Sequence, residues 1–237
     1  APFGRNINKA LEYALSLCRR LGFETANVDG YAGYAQFPGQ KEEQLGILCH
    51  LDVVPAGEGW LHPPYEGVYE NGVIYGRGAV DDKGPAISAI YALAALKRAG
   101  AAFRRTPRII FGCDEESGWE CMDYYASKIG MPEMGFSPDA DYPIINTEKG
   151  IYHAQLKKKI SRGENYSISI HGGTRANVVP DCAQAYIKGN TAPLIEKLND
   201  YDCSENNLSY IVKEGALEIT AKGISAHASQ IGRASCR

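Results

Sequence analysis

Four short stretches end or turn on residues that could hold a divalent cation. They are His50-Leu51-Asp52 in "GILCHLDVVP", Asp81-Asp82 in "GRGAVDDKG", Glu115-Glu116 in "CDEESG" and Asp139 in "FSPDADYP". In an extended chain successive side chains alternate between faces, so His50 and Asp52 share one face, which suits an imidazole ligand held by a supporting carboxylate. So many carboxylates in one cleft would repel and raise one another's pKa values unless cations neutralised them. One histidine, several acids and no thiolate suit Zn2+, Mn2+ or Co2+, and a single carboxylate can bridge two such ions roughly 3.5 to 4 Å apart. Glu115 and Glu116 are adjacent, so they are expected to point in different directions, one as a ligand and one as a free base. Taken singly, each acid also reads as a helix N-cap or first-turn residue, Asp81 and Asp82 before Lys83 and Glu115 and Glu116 before Trp119. The set together, at successive strand ends, favours a metal site. A phosphate loop is the weaker reading of "YGRGAVDDKG", which lacks both glycine-rich phosphate patterns and carries two acids that would repel the ligand.

The elements that must place these residues alternate along the chain. "NKALEYALSLCRRLGF" sets Leu11, Ala14, Leu15, Cys18 and Leu21 at helical spacing, with Gly22 as a stop. "TANVDGYAGYAQF" predicts two short strands around Asp29-Gly30, and Leu45 to Cys49 a central buried strand. A Gly- and Pro-rich loop follows, then a hairpin about Asn71-Gly72. Pro85 near the start and Gly100 as a stop bracket a core-facing helix from Lys83 to Arg98. "PRIIFGCDEESG" predicts a second buried strand ending in acids, before a helix from about Trp119 to Lys128, and "MGFSPDADYP" makes a third strand-to-acid transition. Strands separated by helices give an α/β fold, a mostly parallel sheet flanked by helices, whose ligands gather beyond the carboxyl ends of the strands. After Gly150 the pattern changes to alternating strands, "IYHAQLKKKI", "YSISIHGG", "CAQAYIKGN", "LSYIVKEG" and "LEITAKG", with a helix at Ala192 to Leu198. The expected division is a catalytic metal-binding domain at 1–157 and the start of a second, α+β lid domain at 158–237.

At 237 residues and 44% hydrophobic content the chain can bury a substantial core. A formal charge of -3 with interspersed Lys and Arg excludes a nucleic-acid binder or membrane-surface protein and leaves a small partner. No apolar run approaches the roughly 18 residues of a membrane helix, and the N-terminal stretch lacks the layout of a secretory signal. Seven cysteines occur without a Cys-x-x-Cys pair and read as reduced thiols of a cytoplasmic protein.

In order along the chain, "GILCHLDVVPAGEGW", "YGRGAVDDKGP", "CDEESG", "FSPDADYP" and "GISAHAS" resemble the successive motifs of the aminoacylase/carboxypeptidase G/dipeptidase zinc metallopeptidase family, with the nearest likeness in its bacterial Xaa-His dipeptidase (carnosinase-like) branch. The resemblance implies two Zn2+ per complete site, with Mn2+ or Co2+ as alternatives. It makes His50 and Asp139 ligands of one ion, Glu116 a ligand of the other, and Asp81 the bridge, joined to Asp82 by a cis peptide. Asp52 supports His50, and Glu115 is the general base that deprotonates a metal-activated water and later protonates the leaving amine. In the second domain His227 matches the lid histidine that stabilises the oxyanion, and Asn177 a lid residue that contacts substrate.

The implied reaction is hydrolysis of a small dipeptide, the alternatives being deacylation of N-acyl amino acids or a catalytically dead fragment. His62, His153 and His171 match no ligand position. The family's second ion also takes a histidine from a C-terminal segment that returns to the catalytic domain, and no residue after His227 supplies it. The chain is therefore expected to be a truncated or frameshifted product of a longer parent, impaired in activity, with residues 230–237 not native. The resemblance leaves the oligomeric state open.

Overall fold

The computed structural model describes residues 2–57, 60–141, 143–147, 150, 154–157, 166–173, 178–203, 207–224 and 226–227. The chain divides into two compact units, residues 1–56 with 60–146, and residues 57–59 with 147–237. The expected boundary at 157/158 abuts residues 158–165, outside the described set.

The first unit begins with helix α1, Arg5–Arg20, which buries Leu11, Ala14, Leu15 and Cys18 at i, i+3, i+4 and i+7. Strands β1, Glu24–Val28, and β2, Ala32–Gln36, form the expected hairpin, with Asp29 and Gly30 at positive φ in its turn. Strand β3 is Lys41–His50. The short strands β4, Val68–Glu70, and β5, Val73–Tyr75, pair around Asn71-Gly72 at φ 50° and 83°, as a tight hairpin turn requires. Helix α2 spans Lys83–Arg98, strand β6 Arg105–Gly112, helix α3 Glu120–Lys128 and strand β7 Met134–Phe136.

The central sheet has the order β1-β2-β6-β3-β7. Strand β3 runs parallel to β6 and β7, whereas β2 runs antiparallel to both of its neighbours, β1 and β6. The sheet is thus mixed: its parallel part carries the site, and the β1-β2 hairpin extends one edge. Alternation sorts the side chains. Ile47, Cys49, Leu51, Ile109, Phe111 and Cys113 pack with buried residues of α1 and α2, while Ile110 packs with Cys121, Met122 and Tyr125 of α3. Helices on both faces explain why β3 and β6 read as near-continuous apolar runs.

The second unit contains β8, Tyr166–Gly172, β9, Val178–Val179, β10, Cys182–Gly189, helix α4, Ala192–Asn199, β11, Leu208–Lys213, β12, Ala216–Lys222, and β13, Ala226–His227. Strands β11-β12-β10-β8 form an antiparallel sheet, and β13 pairs with β9. Of the stretch "IYHAQLKKKI", residues 154–157 are not in a strand and the remainder lies outside the described residues. No helix among the described residues is long and apolar enough to cross a membrane.

Candidate metal centre

His50 is the last residue of β3 and is 3% exposed, so its ring is oriented by neighbours rather than by water. Its Nδ1 lies 3.0 Å from the main-chain oxygen of Asp52 and 3.4 Å from Asp52 Oδ1. A carbonyl oxygen only accepts, so Nδ1 carries a proton and Nε2 is the nitrogen that can offer a lone pair. Nε2 faces Asp81 Oδ1 at 2.9 Å and Asp139 Oδ2 at 3.2 Å. Burial pulls the imidazole pKa down, but the Asp139, Asp52 and Asp81 carboxylates outweigh it and push it up to about 12.

Asp52 does more than face His50. Its Oδ1 accepts the Glu115 N–H at 3.0 Å and its Oδ2 the Glu116 N–H at 2.9 Å, tying the end of β3 to the turn after β6. Burial opposes its charge, yet His50 and the Glu116 and Glu115 amides hold its carboxyl below the ordinary aspartate value.

The adjacent glutamates do not diverge as strand alternation predicts. Strand β6 ends at Gly112, and residues 115–118 form a turn closed by the Trp119 N–H on the Asp114 carbonyl at 2.8 Å. Outside a strand the two-residue alternation does not apply. One carboxylate oxygen each from Glu115 and Glu116 lies within 4.8 Å of the other and of a His50 ring nitrogen. Burial, reinforced by Glu116, Asp139 and Asp52 against the opposing pull of His50, pushes Glu115 up to about 7. Glu116 is raised by burial and by Asp81.

Two groups of ligand-type atoms therefore share His50: His50-Asp81-Asp139 and His50-Glu115-Glu116. One imidazole whose Nε2 faces two carboxylates, and four carboxylates in all, two of them resisting ionisation in the absence of a cation, fit a divalent-cation centre of nitrogen and oxygen ligands. The Asp81-Asp82 peptide is cis. In the second unit His227 stands opposite Val178 in the β13-β9 ladder, while Asn177 and His153 lie outside the described residues. His62 approaches Glu70 at 3.6 Å and His171 the Ser169 hydroxyl at 2.9 Å, neither within the metal groups.

Two roles went unread in the sequence. Asp82 is fully buried, and its Oδ2 accepts the His50 N–H at 2.9 Å. Ser137 donates its hydroxyl to the Leu48 carbonyl at 3.0 Å and accepts the Asp139 N–H at 3.3 Å. The available signal was adjacency, since each lies within two residues of a candidate ligand.

An imidazole and acids gathered at the carboxyl ends of parallel strands in an α/β sheet mark the metallopeptidase class. The model of Peptidase family M20/M25/M40 matches residues 46–226, and the chain belongs to that family. Relatives include "Putative dipeptidase YtjP" of Bacillus subtilis, 39% identical over 235 residues that make up 97% of this chain and 50% of the relative. The Staphylococcus aureus protein of the same description, SAB1611c, is 39% identical over 236 residues, 96% of this chain and 50% of its own length. The chain thus spans about half the length of the curated relatives it matches. The crystal structure of human carnosine dipeptidase 1 superposes with a TM-score of 0.51 at 24% identity, covering 57% of this chain and 33% of that one, a likeness of fold.

Proposed function

We propose that this chain carries the main part of a dinuclear metal centre that hydrolyses dipeptides. The observation that carries the reading is the sharing of His50 between two groups of acids, Asp81 with Asp139 and Glu115 with Glu116. His50, Asp81, Glu116 and Asp139 would hold the two cations, with Asp81 proposed as their shared ligand. Bound Zn2+, or Mn2+ or Co2+ in its place, would polarise the scissile carbonyl and lower the pKa of the attacking water. Glu115 accepts the water proton at its carboxylate and returns it to the leaving amine. In the cation-free chain burial pushes this carboxyl up to about 7. Asp52 holds Nδ1 of His50 and the two glutamate amides in place. In the lid unit His227 is assigned to the developing oxyanion and Asn177 to substrate contact.

A dipeptide is the proposed substrate because the relatives bear dipeptidase names, and an N-acyl amino acid is the competing one. The described cysteines are free, four of them buried, which supports a reducing, cytoplasmic setting.

The test combines cation stoichiometry with turnover of a dipeptide panel and of N-acyl amino acids, on this chain and on a full-length relative with equivalent substitutions. His50→Ala should lose tightly held cation. Glu115→Gln should keep its cation while losing at least a hundredfold in dipeptide turnover. A Glu115→Gln enzyme that turns over at the parent rate would refute the assignment.

A further inference from the structure

Strand β7 stops short of the site. It pairs with β3 only at Leu45, Gly46 and Ile47, through Met134, Gly135 and Phe136. Strand β3 continues for three more residues, and its backbone groups alternate sides as in any ladder. On the β6 side the pairing persists to the end, His50 opposite Gly112, and the Leu51 N–H still reaches the Gly112 carbonyl at 2.9 Å. On the β7 side the Leu48 carbonyl and the His50 N–H have lost their strand.

Side chains fill both places. The Ser137 hydroxyl, one residue beyond the end of β7, donates to the Leu48 carbonyl at 3.0 Å, and the Asp82 carboxylate accepts the His50 N–H at 2.9 Å. We infer that Ser137 and Asp82 act as a surrogate strand that sets the register of Asp139 and Asp81 on His50, making both of them positioning residues of the metal centre. Each is coupled to its ligand through very few bonds. Asp82 is the residue next to Asp81, and Ser137 accepts the Asp139 N–H at 3.3 Å. The product of that register is His50 Nε2 lying 2.9 Å from Asp81 and 3.2 Å from Asp139. Asp82 is fully buried with its second oxygen, Oδ1, lacking a hydrogen-bond partner, so the carboxylate that accepts the His50 N–H is held there at a desolvation cost.

The inference rests on reading His50, Asp81 and Asp139 as ligands, and its test separates the two. Amide hydrogen exchange is measured by NMR on the metal-free chain. Asp82→Ala should speed exchange at His50 at least tenfold, and Asp82→Asn, which keeps an accepting oxygen, should restore most of the protection. Ser137→Ala, at an exposed position that should not endanger folding, should speed exchange at Asp139, and Ser137→Thr should restore it. Co2+ affinity and visible absorption are then recorded far below the melting temperature. Ser137→Ala should bind about tenfold more weakly with an altered spectrum, again restored by Ser137→Thr. Unchanged exchange at both amides, or a Ser137→Ala protein that matches the parent within twofold in Co2+ affinity and in spectrum, overturns the inference. A parent chain that takes no Co2+ overturns the metal reading instead, and the exchange rates at His50 and Asp139 then decide the surrogate strand on their own.

Discussion

Replacing Asp52 by alanine should damage the centre without touching a proposed ligand. Two backbone amides, of Glu115 and Glu116, donate to its carboxylate at 3.0 and 2.9 Å, and the side chain is only 15% exposed. Hydrogen bonds to a charged group contribute about 1.5–3 kcal/mol each, so losing both costs about 3–6 kcal/mol. Water entering the vacated space recovers part of this, which puts the expected loss near the lower end, about 3 kcal/mol. For a unit of this size that corresponds to a fall of roughly 6–12 °C in melting temperature, read by circular dichroism. The same substitution frees the His50 ring and the 115–116 turn, so cation affinity should weaken about 10- to 100-fold, measured by competition with a chromophoric chelator. Asp52→Asn should fall between, because its amide oxygen can accept one N–H while its NH2 group meets the other donor. The pH dependence has a definite sign. Asp52 has a folded pKa below its unfolded one, so its contribution is present above the ordinary carboxylate value and is lost as pH falls through the depressed one. The melting gap between parent and Asp52→Ala should therefore be full at pH 7 and close below about pH 4. An Asp52→Ala protein melting within 2 °C of the parent and binding cation within twofold would refute this reasoning.

Cation loading should release protons, because His50 is pushed up to about 12 by its carboxylate neighbours and Glu115 up to about 7 by burial. Apparent affinity then rises with pH between 6 and 8, and calorimetry in buffers of different ionisation enthalpy should count at least one proton at pH 7; zero release contradicts the site. Gly84→Ala drives a Cβ into the Ala79 carbonyl oxygen at the start of α2, so the 79–82 turn must shift; we expect a loss of about 1–3 kcal/mol in thermal or denaturant unfolding together with weaker cation binding. Burial pushes the Cys18 and Cys113 thiols up to about 12 and raises Cys49 and Cys121 as well, whereas Cys182 is exposed. A thiol reagent mapped by mass spectrometry should mark Cys182 in the native protein and the four buried cysteines only after unfolding.

Much of the site was legible because local chemistry decides it. Asn71-Gly72 and Asp29-Gly30 announced their hairpins, and the interval between Pro85 and Gly100 held a helix with the observed limits, Lys83–Arg98. The gathering of His50, Glu115, Glu116 and Asp139 followed from residues at or just beyond the ends of the parallel strands β3, β6 and β7, and Asp81 joins them from the turn before α2. What escaped depends on where elements stop relative to each other. The convergence of Glu115 and Glu116 required knowing that β6 ends at Gly112, so that a turn and not a strand carries them. Placing the β1-β2 hairpin with β2 antiparallel beside β6 is a tertiary choice that no window of residues records. Asp82 looked like a helix-start acid, yet its side chain makes no cap bond to α2 and turns to the His50 amide, a partner 32 positions away.

The shared imidazole makes the centre asymmetric. With Nδ1 committed to Asp52, His50 has one nitrogen to give, and one nitrogen serves one ion at a time. Of the two groups of described residues, whichever engages Nε2 becomes a mixed nitrogen-oxygen position, and the other is left with carboxylates alone. Borderline ions such as Zn2+ and Co2+ favour the first kind of position, and hard ions such as Mn2+ and Mg2+ the second. With ligands from the described residues alone, filling from a mixture of metals would then be ordered rather than random.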